Sequence, residues 1–341
     1  MTVWPASHPQ NNFTDKLSVS LVKGMLSFRG RVIAEHVCSL NKASEYSIVR
    51  RRMTANTKKR VKQQPKPFLK WVGGKGRLLE QLLPHFNEAR QAEGKYFEPF
   101  FGGGAVFFAL SPLSGQINDV NKALMAAYSN IKKDLNSVIE QLEVIEPAYL
   151  SLNDEGRKEY FYKRREEYNL EPYDTVRKTV LLIFLNKTCF NGLYRENRKG
   201  GFNVPHGKYA NPKICDADAL RATSEALQQV VITSGSFVDA VADAKEGDFV
   251  YFDPPYYPLN PTSSFTSYSV DDFSADDQRK LKEVLDDLTK RGVKAAVSNS
   301  DSEFINELYK DYRIEKVWAG RSINSVGSKR GKITEVLVLN W

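Results

Sequence analysis

FEPFFGGGAVFF, residues 97–108, sets the pattern for the strands and helices on either side of it. A short apolar strand runs into three glycines, and an apolar helix start follows at once. Glycines without a Cβ let the backbone approach a ligand closely at a helix N-terminus. The next strand, SGQIND (114–119), ends in an acid, Asp119. That order suits a nucleoside, with glycines beneath it and a carboxylate on its ribose hydroxyls. A dinucleotide fingerprint GxGxxG fails, because position 107 is Phe. GGKGR (73–77) lacks the spacing of a phosphate-binding P-loop. Two readings stay open for this turn: a site for a nucleoside without pyrophosphate, such as S-adenosylmethionine, and a plain tight turn with no ligand.

Working outward, KYFEPF (95–100), VVITSG (230–235), DFVYFD (248–253), GVKAAVSNS (292–300), RIEKVWA (313–319) and ITEVLVLNW (333–341) read as further strand segments. KGRLLEQLLPHF (75–86) carries leucines at helical spacing, and 121–145 reads as one long helix or two. Ser274 is the expected N-cap of a helix running to Arg291, with Asp276 and Asp277 in its first turn. Strands alternating with helices predict a doubly wound, Rossmann-like α/β sheet. The last two strands should be antiparallel, since only a short loop joins them. The helix-rich block at 134–228 lies between strands, so it reads as an inserted domain.

The chain has 341 residues and a net charge of +8. Residues 1–66 carry 13 Lys/Arg against 3 Asp/Glu, so the basic balance belongs to an N-terminal extension. Its stretch 50–66 is almost without apolar residues and is expected to be a flexible linker. Segment 18–38 is more apolar, with a hairpin or a short helix as its readings. Two clusters stand out in the remainder: six Lys/Arg against Glu196 at 187–213, and five Lys/Arg with no acid at 316–332. Gathered positive charge is the footprint of phosphate binding. No long apolar run or leader is evident, so a cytoplasmic protein with no membrane contact is expected. Three scattered cysteines, Cys38, Cys189 and Cys215, argue for a reducing compartment and against a disulfide framework. No Cys/His spacing suits zinc, so no metal is expected.

DFVYFDPPYYPLNPTSSFTSY (248–268) leaves a buried strand through an aspartate and two prolines. Prolines fix φ and remove donors, so the exit is rigid. A flipped nucleobase needs a stacking face and acceptors for its exocyclic amine. Tyr256 offers the face; the Asp253 carboxylate and the Pro254 carbonyl offer the acceptors. Such positioning of an amine against a methyl donor is worth up to roughly 7–11 kcal/mol.

These segments together resemble the DNA adenine methyltransferase (Dam) family, its GATC-reading branch in particular. The resemblance runs from about Phe68 to the last residue. FLKWVGGKGRLL (68–79), FEPFFGGGAVFF, NDVN (118–121), DPPY, VSNSD (297–301) and RSINSVGSKRGKITEVLVL (321–339) stand in the family's order. The resemblance implies a methyltransferase catalytic domain formed by 67–133 and 229–341, with a target-recognition domain at 134–228 between its halves. It implies S-adenosylmethionine as donor, held by Trp71, Lys75, Glu98, Phe100, Gly102, Asp119 and Asp253. Asp253, Pro254 and Tyr256 are then the catalytic set, and Asn118 a strand-end residue.

Double-stranded DNA is the implied partner, with no obligate protein partner and a monomer expected. The basic hairpin near 190–209 resembles the family's base-reading element. Arg195 has the fork that guanine accepts, a contact worth about 1–3 kcal/mol of discrimination. Asn191 offers an amide, Leu193 and Pro205 offer apolar surface to thymine methyls, and Phe190 is a candidate wedge in the base stack. Asn197, Arg198 and Lys199 would hold phosphates, and Lys70 would touch the outer base pair. Phe190 stands where tyrosine is more usual. Glu196 is an acid in a hairpin meant to face DNA, so it should weaken phosphate binding or point outward. Other amines, cytosine N4 or an RNA adenine, remain alternative targets, and a catalytically silent DNA-binding protein is the alternative outside enzymes.

Overall fold

The computed structural model describes residues 64–259, 273–320 and 332–341. Segment 18–38, most of the basic linker, residues 260–272 after the DPPYY stretch and residues 321–331 of the second basic cluster lie outside the described residues.

Seven strands form one sheet: β1 (Tyr96–Glu98), β2 (Gly115–Asn118), β3 (Val230–Thr233), β4 (Phe249–Phe252), β5 (Lys294–Ser300), β6 (Arg313–Gly320) and β7 (Lys332–Leu339). Their order across the sheet is β3-β2-β1-β4-β5-β7-β6. Neighbours from β3 through β5 are parallel. β7 lies antiparallel between β5 and β6, so the last two strands pair as their short connection requires. This is the Rossmann-like mixed sheet that the alternating pattern predicts.

β4 shows how the sheet is covered. Phe249 and Tyr251 enter the core on one face, while Val250 and Phe252 enter the core on the other. That is the two-residue alternation of a strand. All four are buried, as in a parallel sheet flanked by helices on both sides. One face carries α1 (Leu79–Ala89), α2 (Ala105–Leu110) and α3 (Lys122–Lys133). Between β2 and β3 the chain also runs through α4 (Leu135–Leu150), α5 (Asp154–Leu170), α6 (Val176–Thr188) and α7 (Ala217–Leu227). The stretch 121–145 is therefore two helices, broken where Asp134 leaves helical geometry at φ −137°.

α6 is the hub of the helical block. Val180 to Leu185 are all buried, and α6 packs against α3, α4 and α5. Thr175 caps its start by accepting from the Lys178 N–H. The opposite face of the sheet carries α8 (Ala275–Lys290) and α9 (Glu303–Leu308). Ser274 caps α8, and Asp277 completes a reciprocal capping box.

The strand order creates the crevice. From β1 the chain moves outward to β2 and β3, then returns to β4 on the other side of β1. The carboxyl ends of β1 and β4 flank this switch point, where open α/β sheets bind ligands. Tyr96 lies opposite Phe249 and Phe97 opposite Val250, so Glu98 and Asp253 emerge at the same edge.

Candidate active site

The glycine turn after β1 is shaped by backbone geometry. Gly102 has φ +48°, and a Cβ there would lie 2.9 Å from Cδ1 of Trp71. Glycine is thus required twice, by conformation and by the indole. The Gly102 N–H donates to Asp119 Oδ2 at 2.9 Å, and the Asn121 N–H to Asp119 Oδ1 at 2.9 Å. Burial pushes the Asp119 carboxyl upward, and these two donors oppose it. Trp71, Gly102 and Asp119 therefore converge from three separate segments. Asn118 instead donates to the carbonyls of Pro99 and Gly235, at 3.1 and 3.0 Å, and accepts from Thr233. It is a strand-end clamp.

Glu98 is buried, and the Tyr96 hydroxyl donates to it at 2.8 Å. Burial holds its carboxyl well above the usual carboxylate range, with the Tyr96 bond opposing. Phe100 stacks on Phe237 at 5.3 Å and meets Phe273 edge-on at 5.6 Å.

Across the switch point, Asp253 meets Lys75. The ammonium lies 2.6 Å from Asp253 Oδ1, with side chains only 8% and 18% exposed for Lys75 and Asp253. Lys75 also donates to the Gly73 carbonyl at 2.9 Å and sits 4.8 Å from the Tyr256 ring centroid. Burial raises the Asp253 pKa to about 6, with the Lys75 ammonium pulling the other way and Glu335 adding to the rise. An unfolded aspartate titrates near about 3.9. This carboxyl therefore favours the fold fully below that value, and the contribution is lost as pH rises through about 6. Ionising it costs on the order of 3 kcal/mol of stability.

Two buried amides hold the proline exit. Gln278 Nε2 donates to the Pro255 carbonyl at 3.0 Å, and the Tyr257 N–H donates to Asn299 Oδ1 at 3.0 Å. Asn299 Nδ2 donates to Gln278 Oε1 at 2.9 Å, which closes the clamp. Pro254 is buried. Tyr257 turns away to stack on Phe304 at 4.3 Å. Tyr256 points its hydroxyl to Glu335 Oε2, 2.8 Å away.

The stretch 189–206 folds back on itself through bridges Cys189–His206 and Glu196–Phe202. Phe190, Asn191, Leu193, Arg195, Asn197 and Pro205 are all exposed along it. Asn191 has φ +56°, a left-handed conformation that asparagine tolerates. Gly192 follows at φ +64°, where a Cβ would meet Lys70 Cδ at 2.4 Å. Asn197 Oδ1 accepts from the Lys199 and Gly201 N–H groups, shaping the tip. Asn197 is thus a turn-former as well as a candidate phosphate contact. Arg195 Nε donates to Asn203 Oδ1 at 2.7 Å, which orients the exposed guanidinium. Lys70 lies 5.0 Å from the Tyr209 ring centroid.

Several residues that shape the site have no such role in the sequence reading. Tyr194 stacks on Trp71 at 4.9 Å and donates its hydroxyl to Glu196. Glu196 is exposed and accepts the Tyr194 hydroxyl. Asn186, wholly buried in α6, accepts from the Lys70 N–H and donates to the carbonyls of Lys70 and Gly192. Its signal in the sequence is one amide inside the apolar run VLLIFLNKT. Gln278 and Asn299 are similar buried amides, whereas Glu335 gives no local signal.

Among the described residues no group of three or more His, Cys, Asp or Glu is arranged to hold a metal ion. No described helix is long and apolar enough to cross a membrane.

Similarity to known proteins agrees with this geometry. Residues 71–323 match the family model of D12 class N6 adenine-specific DNA methyltransferases. The chain is 47% identical over 289 residues to the type II methyltransferase M.MjaIII of Methanocaldococcus jannaschii, covering 81% of this chain and 99% of that protein. It is 42% identical over 282 residues to the type II methyltransferase M1.LlaDCHI of Lactococcus lactis subsp. cremoris, covering 81% and 95%. It is 33% identical over 272 residues to the DNA adenine methylase of Escherichia coli (strain K12), covering 80% and 94%. The chain belongs to the D12 class of N6 adenine-specific DNA methyltransferases.

Proposed function

We propose that this chain flips adenine out of double-stranded DNA, with GATC as its sequence, and transfers a methyl group from S-adenosylmethionine to N6. The observation that carries the reading is the meeting of Lys75, Asp253 and Tyr256 at the switch point, beside the Trp71–Gly102–Asp119 turn.

The turn suits a nucleoside donor. Each Asp119 oxygen already accepts one N–H and retains a lone pair for a ribose hydroxyl. Trp71 and Phe100 supply apolar walls, and buried Glu98 lies at the end of β1. When bound, S-adenosylmethionine supplies an electrophilic methyl group. Tyr256 stacks the flipped base, while Asp253 accepts an N6–H and turns the nitrogen lone pair toward the methyl carbon. As the N6 lone pair takes the methyl carbon, the carbon–sulfur bond of the donor would break and its electron pair return to sulfur, leaving a neutral thioether. The nitrogen then sheds one proton, for which the Asp253 carboxylate is an acceptor. Lys75 keeps that carboxylate ionised inside a buried site.

The exposed hairpin residues supply readout. Arg195 is the guanine reader, assisted by Asn191, Leu193 and Pro205, with Phe190 as the wedge and Lys70 at the outer base pair. Asn197, Arg198 and Lys199 position phosphates without specifying sequence. The block 134–228 thereby acts as the recognition domain between the two parts of the catalytic domain.

The deciding experiment is base-resolved sequencing of DNA from cells expressing the chain. N6-methyladenine at GATC is expected. Methylation confined to cytosine, to RNA or to no nucleic acid overturns the proposal. Replacing Arg195 by Ala should lower discrimination against a guanine substitution by about 5- to 150-fold. Competition between matched and mismatched duplexes measures this, and an unchanged ratio removes Arg195 as the reader.

The pH dependence has a definite sign. Below the Asp253 pKa of about 6 the carboxyl gains a proton and can no longer accept from both N6 and Lys75. Single-turnover methyl transfer should therefore fall as pH drops through about 6, by about tenfold at pH 5. A rate that stays flat from pH 8 to 5 contradicts the assignment.

A further inference from the structure

We infer that Glu335 is a positioning residue for the reaction: it fixes the ring plane of Tyr256 and so sets the face on which the target base stacks. This rests on the function proposed above, and it gives a role to a residue of the 321–339 segment to which the sequence reading assigns none.

Tyr256 is held at three points. Behind it the Pro255 carbonyl is bonded by Gln278, and ahead of it the Tyr257 N–H is bonded to Asn299. These fix the backbone but leave the ring free to turn about its two side-chain torsions. The third point is the hydroxyl, which donates to Glu335 Oε2 at 2.8 Å. Among the described residues the Lys75 ammonium lies against the ring, 4.8 Å from its centroid, and the Glu335 bond anchors the ring's far end. A hydrogen bond to an ionised carboxylate is stronger than one between neutral groups. Donation to a carboxylate also enriches the phenol ring in electrons, which suits a face presented to a base beside a cationic methyl donor.

Glu335 owes its place to the sheet. β7 is the antiparallel strand, and Glu335 lies opposite Ser300 of β5 and Val317 of β6. Val336 to Leu339 beyond it are buried, so the register that packs them also sets the carboxylate at the mouth of the crevice. A slip of one residue would turn that carboxylate to the other face of the sheet.

The test compares Glu335→Ala, Glu335→Gln, Tyr256→Phe and the double variant Glu335→Ala/Tyr256→Phe in the full chain. Single-turnover methyl transfer is measured together with the fluorescence of 2-aminopurine placed at the target adenine. Thermal unfolding establishes that each variant is folded. Glu335→Ala should slow transfer about tenfold and lower the 2-aminopurine signal, with donor affinity held within about twofold. Tyr256→Phe should do the same. The double variant should be no slower than either single variant, because both remove one interaction. Glu335→Gln retains an acceptor oxygen and should recover most of the rate.

A wild-type rate in Glu335→Ala overturns the inference, and so do losses that multiply in the double variant. Where Glu335→Ala does not fold, Tyr256→Phe and Glu335→Gln decide. A full rate in Tyr256→Phe, or a Gln variant as slow as Tyr256→Phe, then overturns it. An active wild-type chain with an indifferent Glu335 defeats this inference alone. A wild-type chain that transfers no methyl group defeats the functional reading and this one with it.

Discussion

Asp253→Asn is expected to slow methyl transfer at least about a hundredfold while leaving the protein folded. The change preserves shape and removes one charge. Lys75 then decides which way the new amide faces. Its ammonium lies 2.6 Å from Oδ1 in the native site and is nearly buried, so the amide oxygen must turn toward it. The amide NH2 is left facing the base, where it meets the N6–H groups donor to donor. The amine loses its acceptor and gains a repulsion. Binding of DNA and of a donor analogue should change far less than the rate, since Trp71, Asp119 and the hairpin are untouched. Single-turnover kinetics beside equilibrium titrations measure the split. A rate within tenfold of wild type would show that Asp253 does not hold the amine.

Asn186→Ala is expected to be the most damaging single truncation outside the apolar core. Three hydrogen bonds of 2.8–2.9 Å disappear at a fully buried site. The Lys70 N–H and the carbonyls of Lys70 and Gly192 lose their partner. Each stranded group costs about 1–3 kcal/mol, and some regain water because Lys70 is exposed. A total near 3 kcal/mol lowers the melting temperature by about 4–5 °C in a chain of this size. The consequence for function follows from what Asn186 joins. It ties the segment leading into Trp71 to the root of the hairpin, next to the Trp71–Tyr194 stack. The variant should therefore also lose discrimination between matched and mismatched DNA. A melting temperature within about 2 °C of wild type, with discrimination intact, would refute this role.

The two residues differ in how visible they are. Asp253 announces itself, because an acid followed by two prolines and a tyrosine is costly anywhere but at a site. Asn186 is half visible: an amide in an apolar helix must find partners, yet nothing local names Lys70 and Gly192. Glu335 is invisible. In ITEVLVL it looks like any polar residue near the start of a strand. In isolation Glu196, an acid in a basic hairpin, suggests repulsion from phosphate. The structure adds that Glu196 also accepts the Tyr194 hydroxyl, a partner that no local pattern names.

By itself the sequence determined the strands and helices, the break through FEPFFGGGAVFF, the capping of α8 by Ser274, and the chemical kinds gathered at DPPY. These follow from interactions between residues a few positions apart: alternation, helical spacing, capping and the fixed φ of proline. Only the tertiary structure decided that Lys75, Asp253, Tyr256 and Glu335 meet at the gap between β1 and β4, and that Asn186 binds Lys70 to Gly192. Those contacts join segments up to 181 residues apart, as between Lys75 and Tyr256. Their partners are selected by strand order and register, which are set by packing the two apolar faces of the whole sheet and not by any local pattern.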